Sequence, residues 1–156
     1  MANAEHFSKL NEGVEAWNQW KKLNPVLDLS RTDLMSADFS NVDLSRANLS
    51  GANLRRVNLY EANLSEANLS EAWLVDAYLG RAILIRTNLS GADLSGADLD
   101  GANLNEAYLS GANLQRVTLV ETNLEDADLT GCGVYGISVW NARLDGAKQS
   151  NLLITP

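Results

Sequence analysis

The chain has 156 residues, 46% of them hydrophobic, and its 12 Lys and Arg against 20 Asp and Glu give a net charge of −8. This length corresponds to one domain, and the acidic balance disfavours binding to nucleic acid through phosphate contacts. The single cysteine excludes an internal disulfide, and no segment approaches the roughly 18 apolar residues of a membrane-spanning helix.

The N-terminus lacks the basic segment and apolar run of a secretory signal peptide. We therefore expect a cytoplasmic, bacterial-type protein that does not associate with a membrane.

The first predicted element is an α-helix over residues 3–22. Its apolar residues recur at spacings of three and four and so share one helical face: Phe7, Leu10, Val14 and Trp17. Gly13 weakens the pattern, and Asn24-Pro25 is expected to end the helix.

From residue 27 to residue 146 the chain repeats every five residues. Of the 24 positions reached in steps of five from Leu29 to Leu144, 21 are Leu, and the others are Phe39, Val134 and Val139. A period of five matches neither a helical face nor a simple amphipathic strand. In an extended Ala92-Asp93-Leu94-Ser95-Gly96 unit, the first and third side chains point the same way and the chain turns at the last residue. Stacked units of this kind predict a solenoid whose core is filled by leucines and small residues.

The pattern Ala-(Asp/Asn)-Leu-X-X, seen in Ala47-Asn48-Leu49-Ser50-Gly51 and Ala97-Asp98-Leu99-Asp100-Gly101, resembles the pentapeptide repeat family. The resemblance covers residues 27–146. It implies an all-β solenoid, namely a right-handed quadrilateral parallel β-helix with 20 residues per coil and about six coils.

An N-terminal α-helical cap is expected to precede this solenoid, because a parallel solenoid exposes an apolar end and unpaired backbone groups. We assign residues 1–25 to the cap, 26–147 to the β-helix and 148–156 to a C-terminal tail. An independent helix that binds a partner is the alternative for the first segment.

Charged residues 20 apart in the sequence support this coil length. Positions 46, 66, 86 and 106 read Arg, Glu, Arg and Glu, positions 61 and 81 read Glu and Arg, and positions 56 and 76 read Arg and Asp. If these residues stack directly, each cross-strand pair contributes about 0.2–1 kcal/mol.

The outward positions that are not polar are candidates for an interaction surface, which we call the belt. Its members fall within one predicted coil and on three successive sides: Trp73, Val75, Tyr78, Ile83 and Ile85. Tyr60 is predicted to lie one coil away on the side of Tyr78. Exposed aromatic and aliphatic groups mark interfaces more often than chance, whereas the structural alternative is that large side chains stack as stabilising ladders on a β surface.

Repeat quality falls after residue 130, where Tyr135 and Trp140 form a second candidate surface, suited to self-association or to docking of a following segment. The apolar stretch 152–154 follows a polar link at 148–151. Three alternatives remain open for it: it folds over the last coil, it forms a homodimer interface at the C-terminal end, or the chain is the N-terminal part of a larger bacterial protein.

The residues offer little for catalysis. His6 is the only histidine, so neither a zinc site nor a Ser-His-Asp arrangement can be built in the solenoid. Cys132 is at an inner position and is expected to be a buried, unreactive thiol. A filled interior also leaves no cavity for a small-molecule substrate.

The sequence therefore predicts a non-catalytic structural or protein-interaction module with an unknown protein partner, and with no cofactor, metal or directly bound nucleic acid. The family resemblance implies an alternative, a DNA-mimicking binder of a type II topoisomerase (DNA gyrase). Arginines interrupt the acidic surface, which places this alternative second.

Overall fold

The computed structural model describes residues 4–24 and 27–154. The predicted boundary between the cap and the solenoid, at residues 25 and 26, lies outside the described residues, as does Pro25, which was expected to end the helix.

Two short helices replace the single helix predicted over residues 3–22. Helix α1 spans Ala4–Leu10 and helix α2 spans Val14–Lys21. They are separated at Gly13, whose φ of 108° is a backbone conformation that side chains with a Cβ rarely adopt. The apolar spacing of three and four was read correctly, but the glycine divides the segment instead of only weakening it.

Both helices contact the beginning of the solenoid. Trp17 is completely buried, and its Nε1 donates a hydrogen bond to the carbonyl oxygen of Asp43 at 2.7 Å. Asn18 accepts from the backbone N–H of Asp43 at 2.8 Å, and Lys21 forms an ion pair with the Asp43 carboxylate. The backbone N–H of Asp28 donates to Nδ1 of His6 at 2.9 Å. The only histidine therefore has a structural contact at this end of the core.

The repeat region winds into a parallel solenoid with 20 residues per coil. Parallel bridges join residues 20 apart from Asp28–Asn48 to Gly133–Leu153. The pairing lengthens to three residues at strands β1 (Thr118–Val120) and β2 (Ser138–Trp140), where Val120 lies against Trp140. Four pentads complete one coil, and pentads 20 apart stack into four faces. We name these the Trp73, Tyr78, Ile83 and Tyr108 faces, after the residue that each carries at the second pentad position.

The core contains the side chains at the first and third pentad positions. The leucines from Leu27 to Leu129 and the small residues beside them are buried, with almost no solvent exposure in the middle coils. Burial of each leucine contributes about 2 kcal/mol. Thr87 and Thr122 replace alanine at the first position, and their hydroxyls donate to the carbonyl oxygens of Leu64 and Leu99 in the preceding coil at 2.7 and 2.8 Å. These buried polar groups are thus satisfied.

Each pentad turns at its fifth residue, which has a positive φ. Glycine adopts this conformation at Gly96, with φ 71°, but most corners carry other residues, such as Arg46 with φ 60°. The backbone N–H of Ala47 donates to the carbonyl oxygen of Leu44 across such a corner at 3.1 Å. A positive φ at the second central residue is what a type II turn requires.

The Asp and Asn residues at the second position stabilise these turns. Every one of them between residues 28 and 128 accepts a hydrogen bond at Oδ1 from the backbone N–H two residues later. Outside strands β1 and β2, the fourth-position N–H groups of the described pentads have no backbone partner, as Ser95 illustrates by bonding only to Asp93 at 3.0 Å. The polar residue at the second position therefore has a specific structural role beyond being outward and tolerant of turns.

Charge pairs form in two of the three predicted columns. Arg46 pairs with Glu66 at 2.9 Å, Arg86 with Glu106 at 2.8 Å, and Arg81 with Glu61 at 3.6 Å. Within residues 4–24 and 27–154, Arg56 and Asp76 form no ion pair. Direct stacking at 20 residues therefore allows an ion pair but does not guarantee one.

The C-terminal segment differs from the prediction of a separate tail. Lys148 and Leu153 pair with Asp128 and Gly133, so residues 148–154 continue the ladder instead of folding over the last coil. Val139 keeps its inner register, as predicted, but it is 48% exposed because no described residue covers it. Among the described residues, no helix is long and apolar enough to cross a membrane.

Candidate interaction surface

All five belt residues lie on the outside of one coil, as the repeat phase predicts. Trp73 is 47% exposed, Tyr78 56% and Ile83 40%, whereas Val75 and Ile85 are half-buried. The belt crosses three faces, and Tyr60 is exposed one coil earlier on the Tyr78 face. Its residues are thus accessible to another molecule, and their use as an interface stays a prediction.

The belt interrupts the hydrogen-bonding pattern of the solenoid. Trp73, Tyr78 and Ile83 occupy three consecutive second positions, where Asp or Asn would accept the turn N–H. As a result, the backbone N–H groups of Val75, Gly80 and Ile85 have no protein acceptor among the described residues. An unmade hydrogen bond costs about 1 kcal/mol at a partly exposed site.

A similar replacement further along the chain is compensated. Thr118 also removes the turn acceptor, but the backbone N–H of Val120 donates instead to Oδ1 of Asp100 in the preceding coil, at 3.1 Å. No such substitute serves the belt. The belt therefore loses three turn hydrogen bonds in succession, which a purely stabilising surface would not require.

Arginine side chains stack on two of the exposed rings. The guanidinium carbon of Arg55 lies 4.4 Å from the ring centroid of Trp73, and that of Arg81 lies 6.0 Å from the ring centroid of Tyr60. Cation–π attraction at exposed sites contributes about 0.5–1 kcal/mol. The sequence analysis did not identify these contacts, although residues 18 to 21 apart are neighbours once the coil length is known.

A shallow hollow on the Tyr78 face adjoins the belt. Its walls include Tyr60 and Tyr78, and Asn58 and Asp98 lie on either side of Tyr78 along the same column. The hollow exists because Gly80 places no side chain between them: a Cβ added at Gly80 would lie 3.3 Å from Cδ2 of Tyr60. Sequence reasoning missed Gly80, yet it could have been found, because it is one of few glycines that do not occupy a corner.

The second candidate surface is at the open C-terminal end. Trp140 is 73% exposed and Tyr135 is also exposed. Close by, an apolar cavity of about 100 Å³ opens at the end of the core, and its lining includes Leu124, Leu144 and Leu152. Gln149 occupies the inward position that leucine fills in earlier coils.

The described residues show no group of three or more His, Cys, Asp and Glu that could hold a metal ion. Burial raises the pKa of the Cys132 thiol to about 11, and its Sγ donates to the carbonyl oxygen of Leu109 at 3.0 Å. This confirms the predicted buried cysteine, which is un-ionised near neutral pH.

Comparison with known proteins agrees with the repeat geometry. The model of the family described as pentapeptide repeats matches in eight copies, over residues 27–51, 37–72, 62–101 and 97–132. The chain belongs to the pentapeptide repeat family. A search of curated protein sequences found no match.

Solved structures of pentapeptide repeat proteins share this fold. Rfr23, from the cyanobacterium Cyanothece 51142, is 33% identical with a TM-score of 0.61, and the match covers 81% of this chain and 96% of Rfr23. A protein from the Arabidopsis thaliana thylakoid lumen is 34% identical with a TM-score of 0.57, over 58% of this chain and 63% of that one. A trypsin-treated variant of QnrB1, a plasmid-mediated fluoroquinolone resistance protein, is 22% identical with a TM-score of 0.60, over 80% and 68% of the two chains.

These likenesses establish the right-handed quadrilateral β-helix for this pentapeptide repeat protein. The likeness to QnrB1 concerns the fold alone, since its identity to this chain is low.

Proposed function

We propose that this pentapeptide repeat protein is a non-catalytic protein-interaction module whose belt contacts a protein partner. The observation that carries the proposal is the loss of three consecutive turn hydrogen bonds at Trp73, Tyr78 and Ile83, in exchange for exposed apolar side chains. Exposed aromatic groups on a rigid scaffold supply binding energy at a low entropic cost. In this proposal, residues 27–146 form about six coils and the two helices cap their N-terminal end.

A comparison of partner capture tests the belt. The bait is the full chain, with a Trp73→Ser/Tyr78→Ser double variant and with Tyr108→Ser as the matched control on the opposite face. Proteins that bind through the belt are expected to be lost with the double variant and retained with the control. Equal recovery by all three baits would show that the belt has only a structural role.

A second copy of the chain is the partner that we propose for the C-terminal end. Exposed Val139 and Leu144 line an apolar cavity, the neighbouring Trp140 is exposed, and strand β2 offers an unpaired edge. Covering such an end removes apolar surface and satisfies backbone groups. Light scattering after size-exclusion chromatography should show a dimer that Leu144→Lys converts to a monomer. A wild-type monomer at every concentration would contradict this part of the proposal.

DNA mimicry towards DNA gyrase is the second candidate function, because residues 27–146 carry 17 acidic and eight basic residues. It ranks second because arginines neutralise acidic residues at the corners of the solenoid, in the pairs Arg46–Glu66 and Arg86–Glu106. A supercoiling assay separates the candidates: inhibition or protection of gyrase at micromolar protein would favour mimicry, and no effect would remove it.

A further inference from the structure

We propose that the hollow on the Tyr78 face binds an arginine side chain of the protein partner. The inference rests on the proposed interaction function and specifies the chemistry of the partner. It starts from the hollow between Tyr60 and Tyr78 that Gly80 leaves open.

The Tyr78 face differs from the other three faces in its charge. At the outward second and fourth positions of residues 27–154, the Tyr78 face carries Asp38, Asp98 and Asp100 and no basic residue, whereas each of the other three faces has an Arg or a Lys. The hollow lies between Asp38 and Asp98. A cationic group entering here meets carboxylates that no basic residue opposes at the second and fourth positions of this face, which favours its approach and its orientation.

The hollow offers both an aromatic ring for stacking and a carboxylate for hydrogen bonding, the two groups that an arginine site needs. The Tyr78 ring is exposed and provides a face on which a guanidinium can stack. Asp98 uses Oδ1 to accept from the backbone N–H of Asp100 and from Thr118 Oγ1, at 3.0 and 3.1 Å. Its Oδ2 has no partner among the described residues and can accept from a guanidinium.

The chain already stacks arginine on two of its own outward rings, at Arg55–Trp73 and Arg81–Tyr60. Arg81 also pairs with Glu61 at 3.6 Å, so its charge is partly offset. Because Arg81 lies near the Tyr60 ring, the incoming guanidinium is expected against Tyr78, with Tyr60 forming the adjacent wall. Of the two tyrosines that wall the hollow, Tyr60 already has an arginine over its ring, whereas no described arginine lies over the ring of Tyr78.

The experiment is a nuclear magnetic resonance titration of the full chain with the peptide acetyl-Gly-Arg-Gly-amide. The matched probe replaces arginine by citrulline, which keeps the planar shape but removes the charge. We expect shifts confined to residues 58–60, 78–80 and 98–100, with binding in the millimolar range and about threefold or more tighter for arginine than for citrulline.

Three variants locate the site. Tyr78→Ser and Asp98→Asn should each weaken arginine binding about threefold or more, and the asparagine keeps the Oδ1 acceptor of the turn. Tyr108→Ser, on the opposite face, should leave binding unchanged. Equal binding of the two peptides, shifts elsewhere on the surface, or no binding would each overturn the proposal.

The outcome is distinct from that of the capture comparison. If belt variants lose partners but the arginine peptide does not bind at Tyr78, the interaction function stands and the arginine site is wrong. If the peptide binds at Tyr78 but belt variants recover every partner, the hollow binds arginine, and both the belt interface and the assignment of this arginine to the partner are wrong.

Discussion

Replacing Ile83 by asparagine tests whether the belt is maintained at the expense of stability. On the Ile83 face, Asn63 and Asn103 accept the turn N–H groups of Ser65 and Asn105, each at 3.1 Å. Asn123 donates to Oδ1 of Asn103 at 3.2 Å, whereas Asn103 has no such acceptor in the coil before it, because Ile83 occupies that place.

Ile83→Asn would supply a turn acceptor for Ile85 and would connect the amide ladder on both sides. One turn hydrogen bond contributes about 1 kcal/mol and two half-exposed ladder bonds about 0.5 kcal/mol each. Ile83 is 40% exposed, so the loss of its buried apolar surface costs roughly 1 kcal/mol. The expected net effect is stabilisation by about 1 kcal/mol, or a rise in Tm of about 2–4 °C.

Urea and thermal unfolding followed by circular dichroism measure this change. The matched control is the reverse replacement one coil later: Asn103→Ile removes a turn bond and a ladder bond, a loss of about 1.5 kcal/mol, and gains apolar burial of roughly 1 kcal/mol, so it should destabilise the protein by about 0.5 kcal/mol. The reasoning fails if Ile83→Asn lowers the free energy of unfolding, because apolar stacking would then be the stabilising role of the belt.

The remaining predictions concern the core, the acid response and the thiol. Leu94→Asp buries a charge and should lower the free energy of unfolding by more than about 4 kcal/mol, whereas Ser95→Asp should change it by less than about 0.5 kcal/mol; equal effects in urea unfolding would refute the inside–outside assignment. Hydrogen bonds from the backbone N–H and the hydroxyl of Ser40 lower the pKa of Asp38. The folding stability that ionised Asp38 contributes should be present above the ordinary aspartate pKa of 3.8 and be lost as the pH falls below that value. Asp38→Asn should reduce this loss of stability in acid titrations. Because the pKa of Cys132 is raised to about 11, a thiol reagent at pH 8 should modify it only after unfolding, and rapid labelling of the native protein would show that it is accessible.

The limits of sequence reasoning are clearest at the two ends of the molecule. The spacing of Leu10 and Trp17 correctly indicated a buried helical face, but it did not reveal that the segment divides into two helices at Gly13, where φ is positive, or that the second helix contacts Asp43. At the other end, the polar stretch 148–151 indicated a linker outside the solenoid. In the structure this stretch pairs with the preceding coil through its backbone, and the side-chain pattern gives no information about backbone pairing.

At the candidate site, the repeat phase was enough to place Trp73 and Tyr78 on the outside. It could not reveal the stacking of Arg55 on Trp73, the hollow at Gly80 or the unpaired N–H of Ile85. These features depend on side-chain directions and on which hydrogen bonds remain unmade between coils.

By itself, the sequence determined the period, the inward and outward positions and the family, because every pentad places apolar, polar and turn-forming residues in the same order. Only the tertiary structure decided which outward residues meet across coils, since residues 20 apart become neighbours only after the chain has wound. The hydrogen bonds missing at the belt and the negative charge of the Tyr78 face are properties of that stacking.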